Sequence, residues 1–306
     1  MNDKLVSVVI PTYKRPFMVA RAVDSVLNQT YPHIEILVVD DNEPFWPERK
    51  ETESVMAQYR NNSRVIYLQH EKNRNGSSAR NTGWRQAKGE YITFLDDDDE
   101  ISPLKIQKQV ECLESIDDSW GACYTRYHTL MKDGSIQKSI TNQSGDVYIR
   151  ALMRSFYMGS GSNVLFRKKV VDEIGGYDES FKRNQDIEFI ARAFEKYKVA
   201  FVDEDLLTVH WEVRDVKRNY EFIDDVTVFY LEKMKNYIDR LSHRDKHRVL
   251  SVIALDRARV AFYYGKYKEI FRILRENNVT SVEFICYIGY LLKRVITKKS
   301  YGFYLD

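Results

Sequence analysis

Cysteine is scarce in this chain: Cys112, Cys123 and Cys286 are scattered among 306 residues, with no C-x-x-C pair. That spacing argues against a disulfide framework and a thiolate zinc site, and free thiols suit a reducing compartment. An excess of one charge is also missing. Lys plus Arg (47) nearly balances Asp plus Glu (45), leaving a formal net charge of +2. No global field draws in nucleic acid, so any bound anion must be recognised at a local site. Long apolar runs are absent too. The best, residues 284–296, is shorter than the ~20 residues of a membrane span and is broken by Lys293-Arg294. Asp3-Lys4 leads straight into Val6-Ser7-Val8-Val9-Ile10 without a signal-peptide pattern, so a cytoplasmic location is expected.

What is present describes a folded protein. A 43% hydrophobic and 13% aromatic composition is that of a globular chain, long enough for one large domain with an appendage. Short β-branched or aromatic runs at 5–10, 34–39, 65–69 and 91–95 read as buried strands. Helical patterns lie between them, at Met18–Leu27, Glu48–Tyr59 and Ser77–Ala87. Alternating strands and helices predict an α/β fold with a mainly parallel, Rossmann-like sheet. From Trp120 the pattern changes. Runs at 122–130 and 135–141 flank the turn Lys132-Asp133-Gly134, and 162–166 reads as a strand. A short helix then stops at Gly175-Gly176, and a longer one starts just after Asp186. Strands are expected at 199–202 and 206–210. Beyond residue 213 four helices are predicted, at 220–241, 244–263, 267–276 and 281–297. The expected division is therefore 1–212 and 213–306, with a boundary near Glu212–Lys217.

The tetrad Asp96-Asp97-Asp98-Asp99 comes directly after the strand Tyr91–Leu95, where a chain leaves the sheet. Ligands of open α/β sheets bind outside such carboxyl ends. Four adjacent carboxylates repel one another unless a cation or hydrogen-bond donors offset the charge, and hard divalent metals take oxygen ligands. An acidic turn capping a helix near Pro103 is the alternative. Asp40-Asp41 ends the second strand at the same edge, suited to ribose or base N–H groups or to an Asx turn. Pro11-Thr12-Tyr13-Lys14-Arg15 offers a ring to stack on a base and a guanidinium for phosphate. Asn73–Asn81 adds a glycine at a turn, a helix start and Arg80; helix N-termini and arginine favour phosphate, while either segment alone also reads as a loop with a surface charge.

Ser7-Val8-Val9-Ile10-Pro11-Thr12-Tyr13, Val38-Val39-Asp40-Asp41, Ala79-Arg80-Asn81-x-Gly83 and Gly89–Asp99 occur in order, and after them Gly175-Gly176-Tyr177-Asp178-Glu179 and Gln185-Asp186. Together they resemble glycosyltransferase family 2, the inverting enzymes of GT-A fold, over residues 4–212. The resemblance implies a hexosyl- or hexosaminyltransferase that uses a nucleotide-sugar donor, with UDP expected. Its acceptor would be a glycan or lipid-linked saccharide in surface polysaccharide synthesis. It also implies that Pro11, Tyr13, Arg15 and Asp41 contact the nucleoside, and Arg80 the nucleotide or diphosphate. Asp96 and Asp98 form the D-x-D element, with Asp97 touching ribose. Asp98 would ligate Mn²⁺ or Mg²⁺ with His210 approaching it, and Asp186 would be the catalytic base. Two departures stand out. Gln185 replaces the usual Glu before that base, and Asn42-Glu43-Pro44-Phe45-Trp46-Pro47 replaces small polar residues after Asp41.

Read without the resemblance, Asp186 is a helix N-cap, His210 a partly buried side chain and Ser160–Asn163 a polar turn. A nucleotidyltransferase is disfavoured because Pro11–Arg15 has no glycine. An aspartyl phosphatase would carry its D-x-D after the first strand. A catalytically degenerate donor-binding scaffold is the non-enzymatic alternative. The apolar face of 284–296 with Lys293, Arg294, Lys298 and Lys299 suits packing within the helices, a homodimer contact or an anionic membrane surface.

Overall fold

Strands buried on both faces require near-continuous apolar runs. Val6–Thr12 and Ile34–Asp40, each buried at all seven positions, meet that requirement and become the heart of a nine-stranded sheet. A computed structural model of the chain describes residues 4–211, 219–297 and 301–305. Its elements begin with β1 (Val6–Thr12), α1 (Pro16–Leu27), β2 (Ile34–Asp40), α2 (Pro47–Met56), β3 (Val65–Gln69), α3 (Gly76–Gln86) and β4 (Tyr91–Phe94). Then come β5 (Asp99–Ile101), α4 (Lys105–Glu114), β6 (Trp120–Leu130), β7 (Ile136–Lys138), α5 (Tyr148–Leu152), β8 (Leu165–Arg167) and α6 (Lys168–Ile174). The last are α7 (Gln185–Ala193), β9 (Lys198–His210), α8 (Tyr220–Asp239), α9 (His243–Tyr263), α10 (Tyr267–Glu276) and α11 (Ser281–Thr297). They form two compact units, Met1–Asp146 with Met158–Glu212, and Val147–Tyr157 with Val213–Asp306.

In the first unit the strand order is β3-β2-β1-β4-β8-β6-β9-β5, with β7 against β6. Strands β3, β2, β1 and β4 are mutually parallel, while β8 runs antiparallel to β4 and β6. Register aligns the strand ends. Thr12 lies opposite Asp40, and Val9 opposite Phe94, so three strands end at one edge. The Pro11–Arg15 loop, Asp40-Asp41 and the aspartate tetrad therefore leave the sheet together. Helix α1 buries Val19, Ala22, Val23 and Val26 against Val8, Ile10 and Ile36. Each such aliphatic side chain contributes roughly 1.5–3 kcal/mol relative to exposure.

Helix α3 comes unusually close to the sheet. A Cβ at position 83 would fall 2.3 Å from Val9 Cγ1, so the glycine of the Ala79-Arg80-Asn81-x-Gly83 motif allows the helix to lie on β1. Gly176, at φ 76°, presses on the same helix, where a Cβ would meet Asn81 Oδ1 at 2.5 Å. Asn81 completes the clamp by donating to Tyr177 O (2.9 Å) and accepting from Tyr177 N (2.8 Å). Tyr177 then stacks on Phe189 of α7, with ring centroids 4.0 Å apart and planes 7° from parallel. These contacts tie α3 to α7 and so set where Asp186 stands.

Several expectations change. The runs at 199–202 and 206–210 are one strand, because β9 pairs with β6 along its length and bulges near Thr125–Tyr127 absorb the acidic stretch between them. The strand expected at 162–166 starts later, as Leu165–Arg167, after a 3₁₀ turn at Gly161–Asn163. Strand β5 and helix α5 were not anticipated: one is three residues long and begins on Asp99, the other spans five.

The second unit is helical. Bidentate Arg257–Asp224 (2.7 and 2.8 Å) joins α9 to α8, and fully buried Tyr230 donates to Leu152 O at 3.0 Å. That bond, with Arg154 to Thr227 at 2.9 Å, gathers residues 147–157 into this unit. Among the described residues no helix is long and apolar enough to cross a membrane.

Candidate active site

The loop after β1 is held in shape from β2. Asn42 Oδ1 accepts Lys14 N at 2.8 Å, and Lys14 takes a left-handed φ of 58°. Arg15 is thereby turned onto the tetrad. It pairs with Asp97 Oδ1 at 2.7 Å and with Asp98, while Arg21 of α1 donates to Asp98 O at 2.7 Å. Thr12 Oγ1 donates to Asp97 Oδ2 at 2.8 Å. Asp99 Oδ2 accepts from Ser160 and Ser162 at 2.6 and 2.5 Å. Arg80 pairs with Asp96. Each of the four carboxylates thus meets a donor, Arg15 serving both Asp97 and Asp98, as burial demands. Burial still pushes Asp97 up to about 7, with Arg15 opposing and Asp98 reinforcing. Asp99 is likewise raised to about 7, by burial first and then by Asp96.

The second acidic pair is divided in role. Asp40 is sealed inside, bound by Arg49 Nε (3.1 Å), Tyr67 OH (2.5 Å) and Asn42 N (2.9 Å). Asp41 faces the loop after β3. Its Oδ1 pairs with His70 Nδ1 (2.7 Å) and accepts Arg74 N (2.8 Å); Oδ2 accepts Asn73 Nδ2 (2.8 Å) and Asn75 N (2.9 Å). Those four contacts use the acceptor capacity of a carboxylate. Asn75 in turn caps α3 by accepting Ser77 N and Ser78 N, which aims the helix N-terminus and Arg80 at the strand ends.

Arg80 spans the site. Besides Asp96, it donates to Gln185 Oε1 at 3.1 Å, and its guanidinium lies 5.5 Å from the Tyr177 ring centroid. Asp186, the next residue, sits in the first turn of α7. Its pKa is raised by burial and then by the nearby Asp96 charge, with Arg80 opposing. His210 Nε2 lies 3.5 Å from Glu100 Oε2. Val209 pairs with Asp99 across β5 and β9, so His210 ends its strand one residue beyond that pair.

A cavity of about 250 Å³ opens at this edge. It is lined by six residues expected from sequence, Pro11, Tyr13, Arg15, Asp41, Arg80 and Asp96. Asp97 and Asp98 lie behind Arg15, and Asp186 and His210 are outside the lining. Sequence reading missed Arg21, which falls off the apolar stripe of α1 and carries no motif, and His70. It also missed how the insertion after Asp41 is used. Trp46 takes Lys14 Nζ over its ring at 4.0 Å and lies 6.2 Å from the Tyr13 ring, while Glu43 accepts Asn73 N at 3.1 Å. The insertion therefore braces two walls of the cavity. Ser160-Gly161-Ser162-Asn163 supports Asp99 and the backbone rather than standing free.

A family model, glycosyl transferase family 2, matches residues 7–175. The chain belongs to glycosyltransferase family 2. Its relatives are named as glycosyltransferases. An uncharacterised glycosyltransferase of Rickettsia felis is 33% identical over 188 residues, covering 60% of this chain. This chain spans 30% of that protein's length. One of Rickettsia prowazekii is 28% identical over 82% of this chain and 79% of its own. The amylovoran biosynthesis glycosyltransferase AmsB of Erwinia amylovora is 25% identical over 78% of this chain and 81% of its own. This family 2 member thus carries a glycosyltransferase domain, and solved structures establish its GT-A fold. S. aureus TarS 1–349 in complex with UDP-GlcNAc aligns with a TM-score of 0.64 at 17% identity, covering 85% of this chain and 73% of TarS 1–349. The mannosyltransferase PcManGT of Pyrobaculum calidifontis, in complex with GDP-Man and Mn²⁺, aligns at 0.60 and 15% identity, covering 96% and 81%.

Proposed function

We propose that the chain transfers a sugar, with inversion, from a nucleoside diphosphate donor to a hydroxyl of a glycan or lipid-linked saccharide in polysaccharide synthesis. UDP is the expected nucleotide. The observation that carries this reading is the cavity at the strand ends, where the guanidinium groups of Arg15 and Arg80 meet the aspartate tetrad. Residues 1–212 would form the catalytic domain and 213–306 a helical region, working at the cytoplasmic side of the cell.

Arg15 and Arg80 now balance Asp96, Asp97 and Asp98. Diphosphate oxygens compete for the same planar forks, so donor binding exchanges one set of anions for another. Tyr13 and Pro11 form the nucleoside wall, and Asp41 shapes it by holding residues 73–75. A direct base contact by Asp41 requires one of its four donors to be displaced. Asp97, buried against Thr12, supports Arg15, and a ribose contact from it would be made across that loop.

A hard divalent cation takes carboxylate oxygens, but among the described residues no three such side chains are gathered as a ligand set, and Asp98 and Asp96 are paired with Arg15 and Arg80. On release from Arg15, Asp98 would hold Mn²⁺ or Mg²⁺ with His210 approaching it, and the ion would offset charge on the departing diphosphate. Asp186 takes the proton of the acceptor hydroxyl as its oxygen attacks the anomeric carbon. The bond to the diphosphate oxygen breaks, and its electron pair leaves with the nucleoside diphosphate. The raised pKa of Asp186 strengthens it as a base, and the α7 N-terminus keeps its ionised form accessible. Gln185 fixes Arg80 without adding a charge that would compete with donor phosphate.

That same glutamine, where the family usually has Glu, favours the second reading of a donor-binding scaffold without transfer. Asp186→Asn separates the two. Donor binding retained by calorimetry with transfer lost supports the enzyme; equal transfer by both proteins removes Asp186 from the mechanism.

A further inference from the structure

Helix α11 is packed inside out. Its inner side is polar and aromatic: Tyr287 is its one buried residue, Glu283 pairs with His247 of α9 at 3.0 Å, and Arg294 donates to Tyr290 OH at 3.1 Å. Its outer side is aliphatic. Val282, Ile285, Leu292, Val295 and Ile296 are 58–80% exposed, and Ile288 is 40% exposed. At 100° per residue these six fall on one arc, interrupted only by Ser281 and Gly289 and by no charge. A helix selected for water alone shows the reverse pattern, and an exposed aliphatic face of this length marks a surface meant to be covered.

Charge indicates what covers it. From Phe262 to Lys299 the sequence holds eight basic and three acidic residues, a net of +5 in a chain whose total is +2. Lys293 is exposed at the border of the aliphatic arc, and Lys298 and Lys299 come soon after it in sequence. Phe262 and Tyr263 at the end of α9, with Tyr267 and Phe271 of α10, are 59–79% exposed in the same basic segment. An aliphatic face bordered by a cation, within a basic segment, is the composition of a helix that lies in a lipid headgroup layer. Two copies of a +5 segment would repel each other across a shared face.

We propose that the outer face of α11 seats this chain on an anionic lipid bilayer, lying along the surface and not through it. Val282, Ile285, Leu292 and Val295 enter the acyl boundary, and Lys293 at the border of the arc meets lipid phosphates. This inference is independent of the donor chemistry.

The test is co-sedimentation of the full chain with vesicles of phosphatidylcholine alone or mixed equally with phosphatidylglycerol, at low and high salt. Partition onto the mixed vesicles should be at least ~10-fold stronger, since each basic residue near such a surface multiplies it several-fold, and should weaken with salt. Ile285→Glu with Leu292→Glu should abolish binding while the thermal melt is unchanged, because both positions face solvent. Lys293→Glu should weaken only the anionic-vesicle binding. Absence of vesicle binding by the wild-type chain, or binding untouched by the double variant, overturns the proposal. A dimer by light scattering that the double variant dissolves, without vesicle binding, assigns the face to a second copy instead.

Discussion

The strand-end edge of the sheet and the outer face of α11 break opposite rules, and only one of them is compensated from within. At the edge, four consecutive aspartates are pressed into a mostly buried corner, and each is met by an arginine, serine or threonine. Along α11, six aliphatic side chains stand in water and nothing in the helix covers them. Uncompensated burial of charge costs so much that the fold itself must supply the partners. Exposed aliphatic surface costs less, so a chain can carry it until something outside arrives. On the two proposals above, the edge would give up its cations to a ligand and the helix its surface to a lipid bilayer.

The largest effect expected from breaking this contrast is at Asp186. Asp186→Asn should slow transfer by about 10²–10⁴-fold, the contribution of a positioned base, with donor affinity little changed. Steady-state kinetics beside calorimetry reads both. Next is core against surface: Ile36→Ala should cost ~2–5 kcal/mol in denaturant unfolding, as large-to-small core changes do. Gly83→Val comes third, because its side chain must displace Val9. A loss of ~1–3 kcal/mol and a lower melting temperature are expected.

Acidity sharpens the edge further. Asp97 and Asp99 ionise near 3.8 when unfolded and at about 7 when folded, so the fold prefers them protonated. Their stabilising contribution is complete below pH 3.8 and is lost as pH rises through about 7. Melting curves of the donor-free protein should therefore reveal a component that weakens across that window. Transfer should move the other way, rising with pH as Asp186 sheds its proton above the ordinary carboxylate range. The smallest effect is the counterpart of Ile36. Ile285→Ala, on the uncovered face, should change stability by no more than ~0.5 kcal/mol.

Elements with strong periodicity were legible from residues alone. The helices at 267–276 and 281–297 and the strand at 65–69 have the expected bounds. Strand β5 was hidden because its first residue is the last aspartate of a motif, and β9 seemed split because bulges let acidic residues sit inside a ladder. Six residues that the family resemblance pointed to line one cavity, because the segments that carry them leave the sheet at one edge. What no linear pattern carries is who holds whom. Asp41 is committed to residues 70–75, Arg15 bridges Asp97 and Asp98, and Trp46 leans on the Tyr13 loop, all across separations set by the fold. The inverted face of α11 was readable as amphipathic, yet only the packing shows that the apolar side is the outer one.

Donor hydrolysis by the purified protein tests the central claim most directly. UDP-, dTDP- and GDP-sugars would each be incubated with and without Mn²⁺, beside the Asp98→Asn variant. Slow, cation-dependent release of one nucleoside diphosphate, lost in the variant, is the expected result. No release from any donor, together with no nucleotide binding by calorimetry, would contradict it.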